Sequence, residues 1–175
     1  MTAALNVSED AVFSVLWGWL ASLFDPSVSD SIFKGYANMT AAPAGGNYVV
    51  ISPGVLQRQD QGDRTYDPAN GLINVGRRAI YSYQVDCYGP QAPDYANIIT
   101  VAWNSIWTAE QLSGGALQAL YADEPVQLNI TNGEMQYEQR FMCKLFAQVN
   151  HSLALPQGFF VGPVPLAVKK PADLL

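Results

Sequence analysis

Histidine occurs once in these 175 residues, at His151, and cysteine twice, at Cys87 and Cys143. A metal centre built from several histidines of one chain is therefore excluded. Both cysteines fall inside predicted strands, and without a secretion signal we read them as buried, reduced, small apolar groups rather than a disulfide. Charge is scarce as well. Only 14% of residues are charged, where an average soluble domain carries roughly a quarter. A water-soluble protein this poor in charge hides part of its surface against partners. Nine Lys and Arg face fifteen Asp and Glu, for a net charge of −6. The bases are scattered, with only Arg77-Arg78 and Lys169-Lys170 adjacent. A surface that neutralises nucleic-acid phosphates needs them clustered, so that class is argued against.

Long hydrophobic runs are missing too. Residues 11–24 are uncharged but fall short of the ~20 residues a membrane span requires. Residues 1–10 lack Lys and Arg, and Glu9-Asp10 has the wrong sign for a signal peptide. The expectation is a cytosolic chain with no membrane partner, whose Asn-x-Ser/Thr sites at Asn6, Asn38, Asn129 and Asn150 carry no sugar. Catalytic motifs are equally scarce. No G-x-S-x-G elbow surrounds a serine, so a triad through His151 has no support. Gly45-Gly46 and Gly114-Gly115 lack the lysine and helix context of a phosphate loop. Asp123-Glu124, just before Pro125, reads as a solvated turn. We therefore assign no catalytic residue, no cofactor and no metal ligand.

What is present is patterning. The length suits one domain, residues 1–175. It divides into a helical segment at 8–24, a sheet core at 46–155 and an extended, proline-rich tail at 156–175. The expected class is α/β (α+β), a single mixed or antiparallel sheet with helices packed on it and a long C-terminal hairpin. Ser8, followed by Glu9 and Asp10, is a helix start. Val12, Val15, Leu16, Trp19, Leu20 and Leu23 then recur at helical spacing, and Phe13, Trp17 and Phe24 widen the stripe. One reading is a core helix. The other is that its edge around Trp17 meets another subunit.

Residues 25–47 read as an irregular connection with a short helical turn near 31–36, followed by an apolar strand at 48–51. Residues 55–73 are the least regular polar part, with a strand over 54–59 before the chain loops out. This loop gathers Arg58, Asp60, Asp63, Arg64 and Asp67, and is either solvated or an interface or lumen element of an oligomer.

Residues 77–88 alternate as one long strand, with Ala79, Tyr81, Tyr83, Val85 and Cys87 on one face. Ile80, Ser82, Gln84, Asp86 and Tyr88 occupy the other. Gly89-Pro90 stops the strand. A helix over 94–107 follows, its stripe formed by Tyr95, Ile98, Ile99, Ala102, Trp103 and Ile106. Residues 108–112 give a second helical piece and 116–121 a short helical turn. Residues 126–131 form a strand, Asn132-Gly133 is a two-residue hairpin signal, and a strand returns over 134–153. Its length predicts a bulge or bend.

A resemblance rests on these stretches: Arg77-Arg78, Tyr81, the run from Tyr83 to Pro90, Leu120 to Pro125, then Asn132-Gly133-Glu134, Tyr137 and Arg140. Together with the first helix and the acidic balance they resemble the neck or tail-terminator proteins of long-tailed bacteriophages, over roughly residues 48–165. The resemblance implies a non-enzymatic α/β subunit of a virion tail or neck, assembled in the host cytoplasm as a homo-oligomeric, generally hexameric ring. Its implied partners are the tail tube protein, the sheath where the tail has one, and the head-side connector. Genomic DNA would pass through without specific binding, because an acidic lumen repels phosphates. Three other readings stand beside it: a different connector or tail-completion protein, a small-ligand-binding α/β domain, and a hydrolase using Asp86 or His151.

Overall fold

The computed structural model describes residues 5–25, 31–36, 46–59, 61–131 and 137–158. They form an α+β domain with a single mixed sheet of seven strands. In chain order the elements are α1 (Glu9–Ser22), β1 (Ile32–Lys34), β2 (Tyr48–Arg58), β3 (Arg64–Asp67) and β4 (Leu72–Tyr88). Then come α2 (Ala92–Trp103), α3 (Ile106–Gln111), β5 (Gln118–Ala122), β6 (Val126–Thr131) and β7 (Tyr137–Pro156).

Two long central strands carry the sheet. All 17 residues of β4 pair antiparallel with β7, from Leu72 opposite Pro156 to Tyr88 opposite Arg140. At ~3.3 Å per residue this ribbon runs for roughly 56 Å. Each central strand is flanked by an interrupted one. β2 and β3 lie end to end along β4, and β5 and β6 lie end to end along β7. The single parallel pair is β1 with β2, at the edge. Of the bulge or bend expected in β7, a bulge is absent from its ladder with β4, whose register is unbroken. The irregularities sit on the flanking strands instead, between Pro53 and Leu56 in β2 and between Ala119 and Tyr121 in β5.

One face of the sheet is the core. Val49, Ile51, Ala79, Tyr83, Val85, Cys87, Cys143, Leu145, Ala147 and Val149 are buried there against Val12, Leu16, Trp19 and Leu20 of α1 and Tyr95, Ala96, Ile99 and Trp103 of α2. The alternation read from residues 77–88 therefore has its odd positions inside, as the pattern requires. Ser8 caps α1, its Oγ accepting from the Ala11 N–H at 3.1 Å. Trp19 meets Trp103 edge-on, with ring centroids 4.8 Å apart. Its Nε1 donates to Thr108 Oγ1 at 3.0 Å, and that hydroxyl donates to the Ala102 carbonyl at 2.6 Å. This chain of bonds ties α1, α2 and α3 into one layer and leaves the indole N–H satisfied in a dry site.

Several local expectations are corrected. Residues 31–36 hold strand β1 rather than a helical turn, and residues 116–121 lead into β5 rather than a turn of helix. In both places pairing with a neighbouring strand outweighs local propensity. The strand expected over 54–59 is there as the end of β2, which runs to Arg58, but the loop expected beyond it holds strand as well: β3 takes Arg64–Asp67, and β4 already begins at Leu72. The helix expected over 94–107 spans Ala92–Trp103, and α3 starts afresh at Ile106 because Ser105 caps it. Gly89, at φ +98°, makes the tight exit from β4 to α2; a Cβ there would lie 2.5 Å from the Gly46 carbonyl oxygen. Asn132-Gly133 and the tail beyond Gly158 lie outside the described residues.

Candidate assembly surfaces

The outward side of the helix layer is apolar and acidic. Across α1, α2 and α3 the charged residues are Glu9, Asp10, Asp94 and Glu110, with no Lys or Arg among them. Trp17, Ile98, Val101, Ile106 and Trp107 are exposed on these helices, Val101 by 73% and Ile106 by 78%. The sequence placed Ile98 and Ile106 on the buried stripe. The structure turns both outward, because α2 buries Tyr95, Ala96, Ile99 and Trp103 and the new cap at Ser105 resets the helical phase before Ile106. Trp17 is 39% exposed.

The opposite face of the sheet bears the even-numbered residues of β4 and β7, and the described helices all pack on the other side. A row of rings crosses its end. Phe33 meets Tyr48 edge-on, Tyr48 stacks on Tyr88 at 4.4 Å, and the Arg140 guanidinium lies 5.5 Å from the Tyr88 centroid. Beside the row, Asp86 is 3% exposed. Its Oδ1 accepts from Arg140 Nη2 at 2.9 Å and Nε at 3.0 Å, and its Oδ2 accepts from Gln84 Nε2 at 2.8 Å. Further along, Tyr121 stacks on Phe146 at 4.5 Å. Both of Asp86's oxygens are therefore engaged by neighbours. Asp86 and His151 occupy opposite faces, opposite Met142 and Arg77 respectively. Nine positions at ~3.3 Å each put them roughly 30 Å apart, too far to serve one reaction centre.

Of the five charged positions proposed from sequence, the four that are described, Arg58, Asp63, Arg64 and Asp67, fall along one edge of the sheet. Arg58 ends β2, and Arg64 and Asp67 bound β3. Asp63 pairs with Arg78 at 3.3 Å, both exposed. Asp67 holds the turn into β4, accepting from Asn70 Nδ2 at 2.7 Å. That side-chain bond holds its carboxyl below the usual range. Asp60 lies outside the described residues. Trp17 belongs to the helix layer, so the candidate residues mark two separate regions and not one site.

Against known protein families, residues 10–170 match the family described as phage neck terminator protein. The chain belongs to that family. No curated protein matches it. A structural role in the phage neck follows for the chain, and with it a place in the tail or neck of the virion. No described helix is long and apolar enough to cross a membrane.

Sequence reasoning missed one feature of this neck terminator. A cavity of about 630 Å³ opens where the β2 bulge leaves the sheet, lined by Val7, Val12, Pro53, Val75, Tyr83 and Leu153 among others. In its wall Tyr81 Oη and His151 Nε2 share a hydrogen bond of 2.7 Å, and His151 Nδ1 is buried without a partner among the described residues. The signal was present in the sequence, since Tyr81 has the parity of the helix side. Nothing, however, marked His151 as its partner 70 residues away. Both thiols are free and buried, and burial raises both, Cys143 to about 12 and Cys87 further still.

Proposed function

We propose that this neck terminator forms a ring, a hexamer, at the head-proximal end of the tail. There it halts growth of the tail tube and joins the tail to the head-side connector. The observation that carries this reading is the pair of unlike faces on one subunit. A ring is closed by heterologous contacts, in which each copy presents two different surfaces. The helix layer offers Trp17, Val101, Ile106 and Trp107, and the opposite sheet face offers its ring row and Arg140. Its partners are the tail tube protein, the sheath if the tail is contractile, and the connector. The genome slides through without specific binding, in keeping with the chain's net charge of −6. Assembly takes place in the host cytoplasm.

Deleting the gene from the parent phage tests this. Filled heads and separate tails are the expected products, with overlong tails if the ring stops tube growth. Tails of normal length would move the protein to another connector or completion position, and intact infectious particles would sink the proposal. A second reading, a small-ligand-binding domain, draws on the cavity beside His151. Solution mass separates the two, because that reading expects a ligand-stabilised monomer that never joins a particle.

A further inference from the structure

Most strand edges of this sheet are guarded. β1 has three residues and ends at Lys34, which bonds Asp10 at 3.1 Å. β2 carries Pro53 and a bulge, and β3 carries Arg64 and Asp67. On β5, the Ala122 N–H is taken by Asn104 Oδ1 at 2.9 Å. The free end of β7 is capped by Asn6, which accepts from the Ser152 N–H at 2.7 Å and donates to the Ser152 carbonyl at 3.1 Å. Among the described residues, strand β6, VQLNIT, shows none of these devices. Val126 is 50% exposed. An uncharged edge strand without proline is a template for another strand.

Its hydrogen-bonding phase can be read from β7. There the Gln139 carbonyl accepts from Gly89, on the β4 side, and the Lys144 carbonyl accepts from Asp123, on the β5–β6 side. Even residues of β7 therefore face β6. Met142 and Arg140 lie opposite Val126 and Leu128, so those β6 residues bond inward. Gln127, Asn129 and Thr131 turn their N–H and C=O groups outward. An added strand must supply an N–H opposite each of these three.

We propose that residues 162–166 of a second copy of this chain add to β6 as an antiparallel strand. The occupant is identified by two features of the tail, FFVGPVPLAVKK. Pro163 and Pro165 share one parity, so in an extended strand the missing N–H groups all lie on one side. Placing Pro165 opposite Leu128 and Pro163 opposite Ile130 puts both at non-bonding positions. Gly162, Val164 and Leu166 then face Thr131, Asn129 and Gln127 with their N–H groups intact. The same register brings Lys169 and Lys170 alongside Glu124 and Asp123, two exposed acids that precede β6. The prolines also blunt the new outer edge.

The donor cannot be the same copy. Thr131 lies opposite Tyr137, and β7 runs 19 further residues to Pro156, roughly 63 Å at ~3.3 Å each. The four residues from Gly158 to Gly162 reach at most ~14 Å. The contact deepens the ring reading and rests on its premise that copies of this chain assemble.

Leu128 and Pro165 face each other at a non-bonded position, where Cα atoms ~4.5 Å apart suit a disulfide. Full-length L128C and P165C, mixed under mild oxidation, should give a linked heterodimer, while each alone stays unlinked; Cys87 and Cys143 are buried and silent. No heterodimer, self-linking of L128C, or closure within one chain in the double variant would overturn the proposal. Independently of cysteine, D123K/E124K and K169E/K170E should each weaken self-association at least tenfold by sedimentation, and the combined variant should restore it. Failure to restore it would count equally against the docking. A two-copy exchange of tails would keep the docking and remove the ring, whereas a hexamer without the linked product would do the reverse.

Discussion

Replacing Arg140 by methionine keeps the length of the side chain and removes the cation that neutralises Asp86. At 2.9 Å and an effective dielectric near 20, the gross attraction is about 6 kcal/mol, most of it offset by the cost of desolvating both groups. The single substitution does not recover that offset. It leaves a carboxylate only 3% exposed, held by one bond from Gln84 at 2.8 Å. Breaking one side of such a pair costs about 3–5 kcal/mol. For a domain with total stability of about 5–15 kcal/mol that loss is severe. With a urea m-value of about 2 kcal/mol/M, R140M should lower the unfolding midpoint by about 2 M. The double variant D86N/R140M removes the buried charge and should recover more than half of the loss. If R140M unfolds within about 0.5 M of the parent chain, or if the double variant is no better than the single one, the pair is not the structural anchor of that sheet face.

Other outcomes follow from the same geometry. T108V strands the Trp19 N–H in a dry site and should cost about 1–3 kcal/mol, measured by urea unfolding. Burial raises the Cys143 thiol from 9.0 to about 12, so the native chain holds a proton that the unfolded chain releases. The stability tied to that proton is fully present below pH 9 and is lost as pH rises toward 12. C143A should flatten that alkaline decline in unfolding midpoints measured from pH 8 to 11. At pH 8, both native thiols should react with a thiol reagent only after denaturation. D63K/R64E, on an exposed edge, should leave thermal stability within about 0.5 kcal/mol yet impair joining of heads to tails; normal particle yield would remove that edge from the assembly contacts.

Alternation along residues 77–88 determined by itself which side of the long strand is buried. The side-chain period of a strand is two, and that is a local property. The cap at Ser8 and the stripe of α1 were legible for the same reason, as was the burial of the thiols in apolar strands. What the sequence could not decide was long-range. Residues 31–36 and 116–121 became strands because edges of β2 and β7 were there to pair with, and no local propensity reports a neighbour. Ile98 and Ile106 were assigned to the core by spacing alone; only the packing of Tyr95, Ile99 and Trp103 against the sheet fixed the helix's rotation and turned those two outward. Trp17, Asp63 and Arg64 could be named as candidates, but their separation onto a helix layer and a sheet edge is tertiary. Asp86 stood in the sequence only as a polar position of the strand and a candidate hydrolase residue; its partner Arg140, brought by β7 from 54 residues away, is tertiary. That buried pair and the two unlike faces of the subunit exist only once β4 and β7 have found their register.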